Sequence, residues 1–225
     1  PEHRSQLISD IDSVWGTSLG AATDSPLELP PVRERVRQAW STTTAVNFCA
    51  KAYPTVASVH PDNAPLQVLA GFMRNGYLHR AIREQGGAYG GGASQDASSA
   101  SFRFFSYRDP RLQETLADFD AAIDWVISSE HKPHQLEEAI LGVIASLDKP
   151  ASPAGEAKQA YFNRAFGRTL AHRAGFRKQI LSITTADLKR VAQLYLSPEK
   201  ASIGIICNKE SADSLKIENL EIVNL

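Results

Sequence analysis

A run of seven residues at positions 86–92, Gly-Gly-Ala-Tyr-Gly-Gly-Gly, constrains the fold of this chain more than any other feature. Glycine tolerates positive φ and lets another backbone approach closely, but it is unfavourable in the middle of a helix or strand. The run directly follows a segment with helical spacing of apolar residues that ends in Arg83, Glu84 and Gln85. We therefore expect a helix to stop at these glycines and an extended segment, residues 88–94, to follow. Five glycines around Tyr89 would present one phenol to a ligand, and a peptide is the ligand that we favour.

The composition is that of one large globular domain with appendages. The chain has 225 residues, of which 43% are hydrophobic and 22% charged. A formal net charge of −1 gives no electrostatic indication of nucleic acid or of an anionic membrane surface as a partner. Without a run of 18 apolar residues, no transmembrane helix is expected. Because Cys49 and Cys207 both lie in apolar, strand-like segments, we interpret them as buried thiols.

The order of patterns along the chain predicts an α+β domain with the element order β-α-β-β-α-α-α-α-β. We expect a mostly antiparallel sheet, covered on one face by several helices. Strands are predicted at residues 40–49, 88–94, 100–107 and 201–207, the last of them central in the sheet. Helices are predicted from Asp62 or Asn63 to the glycines, after Asp109, from Pro133, over residues 156–172 and from Thr184, which begins a capping-box pattern.

Three regions follow from this order. Residues 1–31 are expected to form a connector with a short helix over residues 6–15. Residues 32–208 form the α+β domain, and residues 209–225 are expected to be a C-terminal tail. The first residue is not methionine and no apolar leader follows it, so we expect the chain to be part of a longer polypeptide.

One histidine-containing segment comes close to a metal-binding motif. His134-Gln135-Leu136-Glu137-Glu138 is one residue short of the inverted zinc motif H-x-x-E-H, because Glu138 stands where the second histidine should be. Acidic residues are also common in the first turn of any helix. We predict no metal site in this chain.

Arg83 and Tyr89 remain as the candidate chemical groups. A helix end and the strand after it can place a guanidinium and a phenol on the same side, where both would donate hydrogen bonds to one substrate carbonyl. Such donors are what a tetrahedral oxyanion requires. The alternative is a glycine-rich surface turn with an ordinary tyrosine and an arginine favoured by the helix dipole.

Residues 83–92 resemble the corresponding segment of the M16 metallopeptidases, and are most similar to the presequence-protease-like branch of that family. The similarity in the order of strands and helices extends from about Val32 to Cys207. The resemblance implies two homologous halves that close around a peptide. The N-terminal half would bind zinc through its inverted motif, and the C-terminal half would supply the arginine and tyrosine found here as Arg83 and Tyr89.

By this resemblance the chain is the C-terminal domain of a zinc-dependent, oligopeptide-degrading metalloendopeptidase. It would be inactive alone, and its partner would be the N-terminal half of the same protein or a separate subunit. The residues expected to contact the peptide backbone are Gly86, Gly87, Ala88, Gly90 and Gly91. Two alternatives stay open: a non-catalytic M16-like half that binds peptides or acts as a scaffold, and an unrelated α+β domain. The bacterial cytoplasm, the periplasm and an organelle matrix are all compatible with the sequence.

Overall fold

The computed structural model describes residues 2–15, 34–165 and 167–225. The chain divides into two units, residues 1–33 and residues 34–225. In the described part of the first unit, helix α1 spans Glu2–Trp15 and includes the short helix expected in the connector. The remainder of the predicted connector, residues 16–31, lies outside the described residues.

The second unit is built on one open sheet of six strands in the order β3-β4-β2-β5-β1-β6. The four strands β3, β4, β2 and β5 are antiparallel neighbours, whereas β1 runs parallel to both β5 and β6. The prediction of a mostly antiparallel sheet in an α+β domain is therefore confirmed. The strands are β1 (Arg37–Ser41), β2 (Asn47–Pro54), β3 (Gly90–Asp96), β4 (Ser101–Asp109), β5 (Ser202–Cys207) and β6 (Glu221–Asn224).

Most of the helices lie between β4 and β5 in the sequence. An α-helix after β2 continues directly into a π-helix over Arg74–Gln85, which leads to the glycine run. No helix in the described ranges is long and apolar enough to cross a membrane. The α-helices of this unit are α2 (Asn63–Met73), α3 (Gln113–Ser128), α4 (Pro133–Leu147), α5 (Pro153–Ala165), α6 (Leu170–Leu181), α7 (Thr185–Tyr195) and α8 (Lys209–Ser214).

The core lies between the helices and one face of the sheet. In β5, Ile205 and Cys207 are buried while Ile206 is 41% exposed, as expected when a strand has one covered face. The strand is central, as predicted, because it lies between β2 and β1. Its unbroken apolar sequence therefore leaves apolar side chains on the open face of the sheet.

Three expectations about the elements need correction. The single strand predicted at residues 40–49 is two strands, β1 and β2, separated by a turn in which Thr44 bonds Val46. The single helix predicted at residues 156–172 is two helices, α5 and α6. They are separated at Gly167, whose φ of +65° is incompatible with a continuous right-handed helix. Among the described residues, five helices rather than four therefore lie between β4 and β5.

The segment expected as a C-terminal tail is also structured. Residues 209–225 contain α8 and β6, and β6 pairs with β1 in parallel at one edge of the sheet. Gln38 Nε2 donates a 2.7 Å hydrogen bond to Glu221 across this pair. This four-residue strand, Glu-Ile-Val-Asn, is held mainly by main-chain pairing, which hydrophobic periodicity does not predict.

Candidate functional site

The glycine run makes the sharp connection between the π-helix and β3, as predicted. Gly87 has a φ of +79°, a left-handed conformation that favours glycine. Its N–H donates to the carbonyl of Arg83 at 3.1 Å, and the N–H of Ala88 donates to the carbonyl of Ile82 at 3.1 Å. These bonds satisfy the last carbonyls of the helix and turn the chain directly into the sheet.

Three of the other glycines are required by side chains that pack against them. A Cβ on Gly86 would lie 2.0 Å from Nη2 of Arg111, which is itself bonded to Asp118 at 2.9 Å. A Cβ on Gly90 would lie 2.4 Å from the Tyr107 hydroxyl, and one on Gly91 would lie 2.9 Å from a methyl of Ile82. These positions therefore have a packing role, and their contact with substrate stays a prediction.

Tyr89 projects from the surface and is held by its neighbours on β4. Its side chain is 65% exposed, and its N–H donates to the carbonyl of Arg108 at 3.3 Å. The ring centre lies 5.7 Å from that of Tyr107, and Cζ of Arg108 lies 5.7 Å from the Tyr89 ring centre. The phenol is thus presented outward while its ring is positioned by an aromatic contact and a cation–π contact.

Arg108 occupies this position because β4 contains a β-bulge. Asn47 of β2 pairs with Asp109, but Cys49 pairs with Ser106, so Tyr107 and Arg108 together oppose one residue of β2. Arg108 has a φ of +50°, which costs about 1–2 kcal/mol for a residue other than glycine. Sequence reasoning did not find Tyr107 or Arg108, because the adjacent Phe104 and Phe105 already obscure the alternation that a bulge interrupts.

Arg83 lies in the last turn of the π-helix, on the other side of the turn from Tyr89. Its side chain is exposed and forms no hydrogen bond or ion pair within the described part of the chain. The turn brings the two residues to one end of the sheet, but no contact joins their side chains. Both side chains are exposed, and their role toward a ligand stays a prediction.

The strand that follows Tyr89 is at the edge of the sheet. β3 pairs with β4 on one side and is the terminal strand of the order β3-β4-β2-β5-β1-β6. A terminal strand can accept an extended peptide as an additional strand through main-chain hydrogen bonds. The geometry thus combines an outward phenol, an unpaired guanidinium and a strand edge at one place.

The two cysteine thiols and the cavity described below are not part of the turn at residues 83–92. Cys49 and Cys207 are free and buried, as predicted, and burial raises the pKa of both thiols, that of Cys49 to about 12. Within residues 2–15, 34–165 and 167–225, no three His, Cys, Asp or Glu side chains are grouped so that they could hold a metal ion. A cavity of about 670 Å³, lined by residues such as Gln95, Arg173 and Phe176, includes none of residues 83–92.

Comparison with known proteins agrees with the resemblance. The sequence model of the family described as PreP C-terminal domain matches residues 37–208. The mitochondrial presequence protease of Yarrowia lipolytica is 42% identical over 151 residues, which are 67% of this chain and 15% of that protein. The mouse mitochondrial presequence protease is 34% identical over 160 residues, 71% of this chain and 15% of that protein. The chain thus spans about one seventh of the length of these relatives.

Solved structures share the fold at low sequence identity. A protease from Helicobacter pylori superposes with a TM-score of 0.71 at 15% identity, covering 90% of this chain and 52% of that one. Pitrilysin superposes with a TM-score of 0.70 at 14% identity, covering 98% of this chain and 25% of that one. A peptidase M16 inactive domain from Pseudomonas fluorescens gives 0.65 at 16% identity, covering 89% and 51%. The family match and the relatives together show that this chain belongs to the PreP C-terminal domain family.

Proposed function

We propose that this chain is the C-terminal substrate-binding domain of a zinc-dependent metalloendopeptidase that degrades oligopeptides. The observation that carries the proposal is Tyr89, an exposed phenol whose ring is positioned by Tyr107 and Arg108, in the turn that follows the exposed Arg83. The relatives are named presequence protease, which supports a peptide substrate. Because the chain covers only about 15% of those relatives, the activity we propose is that of the whole protein.

In this proposal the two side chains act as hydrogen-bond donors during cleavage. When the scissile carbonyl becomes tetrahedral its oxygen gains negative charge, and donors placed in advance stabilise that charge most. The Tyr89 hydroxyl and the Arg83 guanidinium would donate to this oxygen or to a neighbouring peptide carbonyl. Arg83 contributes a charge-assisted bond, which is about twice as strong as a neutral one.

The peptide backbone would be aligned by the turn and by the edge of β3. The residues proposed to contact it are Gly86, Gly87, Ala88, Gly90 and Gly91, and the unpaired edge of β3 offers main-chain groups in register with an added strand. No described group in this chain fits zinc. We therefore assign the metal to the N-terminal half of the same protein or to a partner subunit, and expect this chain alone to be inactive.

The test is cleavage of a quenched oligopeptide by the full-length protease, with wild type compared to Tyr89→Phe. Removal of one oxyanion donor should lower kcat by about 10²-fold while melting temperature and zinc content stay unchanged. Tyr161→Phe is the matched control, because Tyr161 is a 70% exposed tyrosine on α5. Cleavage by Tyr89→Phe at the wild-type rate would show that the phenol has no catalytic role.

A second candidate function is a non-catalytic half that binds peptide or acts as a scaffold. The solved domain from Pseudomonas fluorescens, described as an inactive M16 domain, has the same fold and supports this alternative. It predicts that the full-length protein binds peptide but neither binds zinc nor cleaves.

The names of the relatives include the word mitochondrial, and we accordingly propose an organelle as the compartment.

A further inference from the structure

The cavity of about 670 Å³ lies between α2, α4, α5, α6 and the connection from β3 to β4. Ligand pockets usually have volumes of about 300–1,000 Å³, so this cavity is large enough for a small molecule. Its described lining residues all belong to the second unit of the chain. We call it the arginine cavity, because these lining residues include four arginines: Arg103, Arg168, Arg173 and Arg177.

The connection from α5 to α6 brings two of these arginines to the cavity. The chain breaks at Gly167, and α6 begins after Thr169, whose side chain caps the new helix. Arg173 and Arg177 are four positions apart and therefore lie on one face of α6. Arg177 forms an ion pair with Asp148 at the end of α4. The Arg173 side chain is exposed and forms no hydrogen bond or ion pair within the described residues, so its guanidinium is available to a ligand.

The charges of the arginine cavity favour an anion. Its four arginines stand against two carboxylates, Asp96 and Asp148, so the described lining has a surplus of positive charge although the chain has a net charge of −1. A phosphate ester carries a charge of about −1.5 to −2 at pH 7 and can neutralise this surplus, whereas a single carboxylate leaves part of it uncompensated. The guanidinium group is also suited to phosphate, because it donates two parallel hydrogen bonds to one anion.

The arginine cavity has apolar and polar lining residues besides the charged ones. Leu147 and Phe176 are partly buried apolar side chains that line it. The most buried of the polar lining residues are Asn63 and Gln95, which are 4% and 8% exposed. Oδ1 of Asn63 is buried and has no hydrogen-bond partner among the described residues, which is rare because an unpaired buried acceptor lowers stability. A small rotation of this amide would let it accept a hydrogen bond from a ligand in the cavity.

We infer that the arginine cavity binds a small molecule that joins a phosphate group to a polar ring. Arg173, with Arg177 beside it, would bind the phosphate. Phe176 and Leu147 would pack against the ring, and Asn63 would accept a hydrogen bond from its edge. Nucleoside phosphates combine these three features. The inference goes beyond the proposed function and does not depend on it.

The test is isothermal titration calorimetry of the full-length protein with adenosine monophosphate. We expect it to bind, inorganic phosphate to bind more weakly and adenosine not to bind, because the phosphate supplies the charge and the ring supplies the apolar contact. Succinate is a dianion without phosphate, and it should bind at least about tenfold more weakly than adenosine monophosphate. No binding of adenosine monophosphate at millimolar concentration would overturn the inference. Binding of adenosine or succinate as tight as that of adenosine monophosphate would also overturn it.

Replacement of Arg173 locates the binding site. Arg173→Gln removes the guanidinium that has no partner, so it should weaken binding of adenosine monophosphate about tenfold without lowering the melting temperature. Lys178→Gln is the matched control, because Lys178 is an exposed cation on the same helix and is not among the lining residues. Equal affinity in the two variants would show that the phosphate is not bound at Arg173.

A second variant, Ala174→Phe, fills the cavity. Ala174 lines the cavity and is exposed on α6, so a large side chain there should block the ligand without disturbing the core. Ala171→Phe, at an exposed position of α6 outside the lining, should keep the wild-type affinity. Wild-type affinity in Ala174→Phe would place the ligand elsewhere and reject the inference. Because titration reports binding without cleavage, a normal rate in Tyr89→Phe would reject the proposed function and leave the arginine cavity in place.

Discussion

At the scale of single residues, the arrangement around Tyr89 depends on a strained neighbour. Arg108 holds a φ of +50° at the bulge of β4, and this conformation carries its guanidinium to 5.7 Å from the Tyr89 ring centre. Strained backbone of this kind persists where the surrounding structure fixes it and is often found at functional sites. We interpret Arg108 as a positioning residue for the phenol.

Replacement of Arg108 tests this interpretation in the full-length protease. A cation–π contact is worth about 0.5–2 kcal/mol, so Arg108→Met should lower kcat by roughly two- to thirtyfold with little change in KM. Arg108→Lys keeps the cation and should recover most of the rate. The control is Arg103→Met on the same strand, because Arg103 bonds Ser94 and lies near Asp96 instead. Wild-type kcat in Arg108→Met would show that the contact does not position Tyr89.

At the scale of elements, the π-helix before the glycine run is fitted to the helix α3. A Cβ on Gly76 would lie 2.4 Å from Cη2 of Trp125, so only glycine allows this approach. The Trp125 indole also stacks on Phe72 of α2 with ring centres 5.2 Å apart. The packing of Trp125 against Gly76 therefore fixes the element whose last turn carries Arg83.

Gly76→Ala should consequently destabilise the fold by about 1–3 kcal/mol, although alanine is the better helix former. Gly142→Ala on α4 is a matched control with open space at its Cβ, and it should be neutral or stabilising by up to about 1 kcal/mol. Urea unfolding of both variants measures the difference. Equal stability of the two variants would contradict the tight contact between Gly76 and Trp125.

At the scale of the whole molecule, Asp62 joins two distant parts of the chain. Nη2 of Arg190 donates to its carboxylate at 2.6 Å, and the hydroxyl of Tyr195 donates at 2.8 Å, which ties the start of α2 to α7. The hydrogen bond from Arg190 lowers the pKa of Asp62, and Tyr195 and the nearby His60 lower it further. The ionised carboxylate is therefore the form that stabilises the native state.

This pKa shift has a definite sign in a stability measurement. Because the pKa is lower in the folded state, the stabilisation is full above the unfolded value of about 3.9 and is lost as the pH falls through the folded value. Asp62→Asn should lower the melting temperature at pH 7, and the difference from wild type should shrink below about pH 4. Asp213→Asn, at an exposed position on α8, should leave the melting temperature unchanged at both pH values. A difference for Asp62→Asn that is constant from pH 7 to pH 3 would contradict the assignment.

The sequence by itself determined the fold class, the family and the position of the helix-to-strand turn. Position 87 has a positive φ, which favours glycine, and Thr184 and Asp187 form the predicted capping box. Local signals of this kind depend on residues close in sequence. The order of strands and helices around the candidate site could therefore be predicted, and the roles of Arg83 and Tyr89 remain predictions that the geometry supports.

Only the tertiary structure decided which distant residues meet. The helix was predicted to begin at Asp62 or Asn63, and Asp62 occupies the N-cap position of α2, but its carboxylate bonds Arg190, 128 residues away, instead of the helix amides. The bulge that brings Arg108 to Tyr89, and the register that aligns Trp40 with Phe48 across β5, are likewise properties of strand pairing. Pairing depends on side chains far apart in sequence, which hydrophobic periodicity and capping patterns along the chain do not specify.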